Sequence, residues 1–203
     1  MHIEFLLEEQ SASAFLEGIL PKLLPDSVTW SPITFRGKSD LLNNLESRLK
    51  AYRRWITDEY RVVVLVDEDR QDCLGLKHRL EQSAARAGLS TKSSSGGNRF
   101  AVLNRIAVEE LESWFFGDSQ ALTTAFPQLK ENFLKKAAYR NPDAIKGGTW
   151  KTLWHLLKGA GYYPAGLPKI EVASLVSRQM DPQRNHSGSF CVFRDGIAEL
   201  LQK

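Results

Sequence analysis

Arg61-Val62-Val63-Val64-Leu65-Val66-Asp67-Glu68-Asp69 is the stretch on which the reading of this chain turns. Val62 to Val66 is apolar at every position and almost wholly β-branched, with no polar alternation. Such a run fits a strand covered on both faces, as in a parallel sheet. It then stops abruptly in three acids. In open α/β sheets the ligand crevice lies outside the carboxyl ends of the strands. Asp67 and Asp69, two apart, both reach that crevice if the chain stays extended. Two carboxylates placed together repel unless a cation sits between them. The natural tenants are Mg²⁺ and Mn²⁺, hard ions that take carboxylate and water oxygens. The plainer reading has Asp67 capping the next helix and Asp69 merely solvated.

Working outward, Ile3 to Leu7 reads as a first strand. Ser11 or Ser13 can cap a helix running to about Leu24, with Phe15, Leu16, Ile19, Leu20 and Leu23 at helical spacing. Pro21 inside that pattern predicts a kink or an earlier end. Residues 28–35 read as a second strand, which Pro32 assigns to an edge or a bulge. Ser39 can cap a helix over 40–55. Beyond the central strand come a helix over 72–87 ended by Gly88, a flexible loop over 93–97, and a strand over 100–107. After that the strand signal stops. Residues 108–116, 119–126, 131–138, 149–158, 169–179 and 190–202 all read as helices or short helical turns. Strands alternating with helices predict an α/β fold. It is a small, mainly parallel, Rossmann-like sheet over residues 1 to about 118. A helical C-terminal extension, 119–203, packs on it as one compact unit.

Composition sets the outer limits. The chain has 203 residues, 42% hydrophobic and 25% charged, with five Trp. That is enough to bury a core and too apolar for a disordered chain. No apolar run approaches the roughly 20 residues that span a bilayer. The acidic start lacks the basic n-region of a secretory signal. Cys73 and Cys191 are far apart and lack metal-type spacing, so neither a disulfide scaffold nor a structural zinc site is expected. The expectation is a cytoplasmic protein with reduced thiols. There is no phosphate-binding P-loop and no Gly-x-Ser-x-Gly elbow.

Charge is unevenly spread. Residues 1–120 carry 15 Lys and Arg against 18 Asp and Glu, whereas 121–203 carry 12 against 6. This fits a carboxylate site in the first part and an anionic ligand gripped by the second. It fits equally a solvated surface of uneven sign. Glu8-Glu9 ends the first strand, so either carboxylate can approach Asp67 and Asp69. Val108 to Asp118 is read as a helix with Glu109 and Glu112, three apart, on one face and Leu111, Trp114 and Phe115 on the other. The basic candidates are Lys135, Lys136, Arg140, Lys146, Lys151, Lys169, Arg178 and Arg184. Trp150, Trp154, Tyr162 and Tyr163 lie among them, and Trp150 and Trp154 are expected to be mostly core. Gly147-Gly148-Thr149 can open a helix as an anion site. The small polar residues around His186 suit a phosphate-binding turn.

Taken together, three segments resemble a known pattern. They are Ile3-Glu4-Phe5-Leu6-Leu7-Glu8-Glu9-Gln10-Ser11, Val64-Leu65-Val66-Asp67-Glu68-Asp69, and Glu110-Leu111-Glu112-Ser113-Trp114-Phe115-Phe116-Gly117-Asp118. A glutamate after the first strand and an Asp-x-Asp after a hydrophobic strand resemble the Toprim domain of topoisomerases, primases and overcoming-lysogenization-defect nucleases. More closely, the chain resembles the bacterial Toprim-like family called domain of unknown function 4276. That likeness extends through Asn141-Pro142 and from Met180-Asp181-Pro182 to Ser189-Phe190.

The resemblance implies a Toprim-type sheet and Mg²⁺-dependent nuclease or phosphotransfer chemistry on nucleic acid. Glu8, Asp67 and Asp69 would hold the metal, with Glu109 or Glu112 nearby for a second ion or as a base. Lys135, Lys136, Arg140 and Lys146 would meet the nucleic acid. It also implies an ATPase partner in bacterial defence. Where Toprim proteins usually have Gly after the glutamate, this chain has Glu9, which adds negative charge. The alternatives are a non-enzymatic metal- or nucleotide-sensing partner subunit and a protein-interaction module built on the Trp-rich helices.

Overall fold

A computed structural model describes residues 1–96, 98–130 and 136–202. Four strands, β1 (His2–Leu7), β2 (Thr29–Thr34), β3 (Tyr60–Asp67) and β4 (Val102–Ala107), form one sheet in the order β2-β1-β3-β4. Every pairing is parallel. The apolar run predicted to be central is β3, flanked on both sides. The Pro-containing strand, β2, lies at an edge, where a missing N–H costs no ladder bond.

Alternation along the strands sorts the core into two layers. Ile3, Phe5, Leu7, Val63, Leu65 and Leu103 face one way, and Leu6, Val62, Val64, Val66 and Val102 the other. The second face is covered by α2 (Lys38–Arg53) and α3 (Cys73–Arg86). The first is covered by α1 (Gln10–Ile19) together with α4 (Glu112–Phe116), α5 (Ser119–Ala125), α6 (Thr149–Gly159), α7 (Lys169–Gln179) and α8 (Gly188–Leu200). This larger core draws on residues from both sides of position 118. Among the described residues no helix is long and apolar enough to cross a membrane.

Several local expectations are corrected. The first helix ends at Ile19 and continues as a 3-10 turn over Leu20–Lys22, consistent with Pro21. The cap of α2 is Gly37 at φ 97°, not Ser39. The cap of α3 is Asp72, whose side chain accepts from the Leu74 N–H, so Asp67 has no capping role. Residues 108–111 are not helical, and only Glu112–Phe116 is. The helix expected over 131–138 falls largely outside the described residues, as does Gly97 of the predicted loop. What is described beyond it is a 3-10 turn at Ala137–Tyr139. Trp150 is 37% exposed rather than core, and Trp154 is half-buried.

The pairing of α1 with α7 positions the site. The two helices lie side by side, and Gly18 lets them touch, because a Cβ there would collide with Ser177. The Lys22 ammonium donates to the carbonyls of Ser177, Arg178 and Met180 at 3.3, 2.7 and 2.7 Å. It thereby satisfies the carbonyls at the end of α7. With that end tied down, the start of α7 is held against the start of α1, beside the carboxyl ends of β1 and β3.

Candidate functional site

At the carboxyl edge of the sheet, β1 runs out into Glu8-Glu9 and β3 into Asp67-Glu68-Asp69. The two strands are neighbours, and the Asp67 N–H donates to the Glu8 carboxylate at 3.2 Å. The turns after β3 and β4 are also tied together. The Glu68 N–H donates to the Ala107 carbonyl at 2.9 Å and the Asp69 N–H to the Glu109 carbonyl at 2.8 Å. In return the Glu109 N–H donates to the Glu68 carboxylate at 2.9 Å. These bonds hold Asp69, Arg70 and Glu109 at φ 51°, 60° and 62°. Non-glycine residues adopt such values only where their surroundings enforce them.

Four acids at this edge carry shifted affinities for protons. Asp67 is buried, and its pKa is raised well above the ordinary carboxylate value by burial and then by the charges of Glu112, Glu8 and Glu9. Glu112 is 1% exposed and is pushed up to about 7, chiefly by burial, with Lys169 opposing. One of its oxygens, Oε2, has no hydrogen-bond partner among the described residues. Glu8 is raised by burial, offset in part by the Asp67 N–H. Glu109 is raised by burial and by Glu68, with Arg70 opposing at 3.9 Å.

Lys169 supplies positive charge in their midst. Its ammonium lies 3.2 Å from Glu9 and 3.7 Å from Glu112. Burial pulls its pKa down, but Glu112, Glu9 and Asp67 together raise it. Lys38 supplies positive charge at the other side, 2.7 Å from Asp69 and donating to the Glu68 carbonyl at 3.0 Å.

The acids are therefore linked in a chain: the charges of Glu112 and Glu8 act on Asp67, and that of Asp69, with Lys38 opposing, acts on Glu8. Asp69 turns to Lys38, and Glu109 faces Arg70. Glu109 and Glu112 do not share a helix face, because Glu109 precedes α4 in a left-handed turn. The donors are all oxygen, and one buried oxygen is orphaned, which suits a hard cation. As the side chains stand, though, no group of three or more His, Cys, Asp or Glu among the described residues is arranged to hold a metal ion.

The anion sites expected in the second part hold the chain's own carboxylates. At the start of α6, the Thr149 hydroxyl and Trp150 N–H both donate to Glu110 at 2.8 Å. At the start of α8, the Ser187 hydroxyl and Ser189 N–H both donate to Asp143 at 2.6 Å. His186 is exposed beside this closed network. Arg184, expected among the ligand-gripping cations, pairs with Asp118 at 2.7 Å. Lys136, Arg140 and Lys146 are exposed, and Lys135 lies outside the described residues.

The sequence places Lys169 with the candidate ligand-gripping cations and gives Lys38 no role. Each nevertheless occupies the first position of its helix. A cation there opposes the helix dipole. For Lys169, first residue of the helix read over 169–179, that mismatch is legible in the sequence; for Lys38 it is not, because the sequence places that helix start at residue 40.

Residues 7–198 match the family model described as Domain of unknown function (DUF4276). No curated protein and no solved structure matches the chain.

Proposed function

The chain belongs to the family described as Domain of unknown function (DUF4276), and on that premise we propose a Toprim-like protein whose acidic edge works with Mg²⁺ or Mn²⁺ on the phosphodiester backbone of nucleic acid. The observation that carries this reading is the buried pair Asp67 and Glu112. Both resist ionisation, and one Glu112 oxygen lacks any donor. Buried acids with raised pKa values in a crevice are what acid–base and metal chemistry require. Glu8 and Asp67 are the residues that would hold the ion, with Asp69 joining from its Lys38 partner, which leaves Glu112 for proton exchange. A bound divalent ion supplies polarisation of a phosphoryl oxygen and a more acidic water. Glu112, protonated in part near neutrality, can exchange a proton with the reacting oxygen. Exposed Lys136, Arg140 and Lys146 would meet the polyanion, with Lys135 of the same stretch. The setting would be the bacterial cytoplasm, beside an ATPase partner.

Lys169 favours a second reading. Its ammonium already stands among Glu9, Glu112 and Asp67, as a built-in cation would in a sensing subunit without turnover. Calorimetric titration with Mn²⁺ and cleavage of labelled single- and double-stranded oligonucleotides separate the two. The nuclease reading expects Mn²⁺ binding that Asp67→Asn abolishes, and cleavage lost in the same variant. Binding without cleavage, with the ATPase partner present, supports the sensing subunit. Equal Mn²⁺ affinity in the two proteins overturns both.

A further inference from the structure

The opposite, amino-terminal edge of the sheet carries an unmatched charge of the other sign. A cavity of about 250 Å³ opens between the end of α2, the start of β3 and the segments flanking β4. Arg53, Arg61 and Arg99 line it, together with Asp58. Arg61 is 3% exposed. Its Nη1 donates to the carbonyls of Asp58 and Tyr60 at 2.7 and 2.9 Å. Its Nε and Nη2 are buried with no partner among the described residues. Buried guanidinium donors are ordinarily met by an acceptor.

The protein itself supplies little compensation. Arg99 donates to the Asp58 carbonyl at 2.6 Å and pairs with its carboxylate at 3.4 Å. That carboxylate side chain is 89% exposed, so water screens it. Arg53 is exposed and makes no ion pair among the described residues. Three guanidinium groups thus share one cavity with a single solvated carboxylate.

We propose that this cavity binds a phosphate dianion, either free or as the terminal phosphomonoester of a small molecule. Planar guanidinium forks match phosphate oxygens two at a time. Three of them suit a tetrahedral dianion better than a flat monocarboxylate. The volume falls just below the roughly 300–1,000 Å³ of pockets that enclose drug-sized ligands, so the recognised part is the phosphate group. This site is separate from the acidic edge and does not depend on its chemistry.

Calorimetric titration of the full chain with inorganic phosphate tests the proposal, with methyl phosphate and acetate run in parallel. Saturable one-to-one phosphate binding is expected. Arg99→Gln and Arg53→Gln should each weaken it about tenfold, the value of one charge-assisted contact. Arg61→Met should abolish it, and Asp58→Asn should strengthen it. Arg54→Gln, a neighbouring exposed arginine outside the cavity, should leave it unchanged. Because Arg53 and Arg99 reach solvent, their variants keep the test decisive even if the Arg61 variant fails to fold. Methyl phosphate binding as tightly as phosphate assigns an esterified ligand, and binding of phosphate alone assigns the free ion. Absence of saturable binding, affinity unchanged in both surface variants, or acetate binding equally well would each overturn the proposal.

Discussion

Two regions of this protein bury carboxylates, and they treat them differently. In the helical layer, Asp118 is fully saturated. It accepts from Arg184 Nε and Nη2 at 2.7 and 2.8 Å, from the Asp181 N–H at 2.8 Å and from the Ala121 N–H at 3.2 Å. Asp143 is similarly met by Ser187 and Ser189. At the sheet edge, Glu112 has Lys169 at 3.7 Å on one oxygen and nothing on the other, and Asp67 sits among further acids. A buried charge whose donors are complete stabilises the fold, whereas one left incomplete holds a proton or waits for a ligand. The same contrast recurs in Glu4, which accepts from both Tyr52 and Tyr60, and Arg61, which leaves two nitrogens open.

The largest effect is expected where the network is complete. Asp118→Ala would strand four donors and uncap α5. We expect a loss of about 3 kcal/mol, kept to that level because Arg184 reaches water. Urea denaturation measures it, and a loss under about 1 kcal/mol would erase the distinction between the regions.

Next in size is the pH dependence from Glu112. The folded state keeps its proton up to about 7, while the ordinary value is 4.5. The folded chain therefore binds more protons within that window. Stability is fully present below pH 4.5 and falls as pH rises through 7, by on the order of 2–3 kcal/mol. Asp67 is raised as well, so the two titrate as a pair. Glu112→Gln should flatten the decline in urea stability between pH 5 and 8. An unchanged profile would remove Glu112 as its source.

The smallest effect sharpens the comparison by its sign. Asp67→Asn relieves repulsion at the sheet edge, so it should raise stability at pH 8 by about 1 kcal/mol. Thermal unfolding in metal-free buffer reads this directly. Destabilisation by a similar amount would mean that the Asp67 carboxylate is as well satisfied as Asp118.

Much of the fold was legible in the chain. The unbroken Val62–Val66 run marked a strand covered on both faces, and Pro32 marked an edge or a bulge, of which the structure shows the edge; both signals follow from local backbone and packing requirements. The helix that apolar spacing predicts over 169–179 has the bounds of α7. The stretch 108–111 was not legible. Its acids and apolar groups fit a helix by spacing, but tertiary hydrogen bonds to Glu68 and Asp69 set Glu109 in a left-handed turn. Hydrophobic periodicity reports which face is buried and is blind to a turn fixed by a neighbouring loop.

The sequence alone determined that acids follow the apolar strands, Glu8-Glu9 after Ile3–Leu7 and Asp67 after Val62–Val66, while the order of strands in the sheet places Glu8 and Asp67 side by side. Only the tertiary structure decided which charges remain open. Lys169 reaches Glu9 across 160 positions of chain, while Arg184, Glu110 and Asp143 are matched within the helical layer. Whether a charge is satisfied depends on donors a few ångströms away in space. Those distances are set by helix packing, through Gly18 against Ser177 and Lys22 on the end of α7, and no local pattern of residues encodes them.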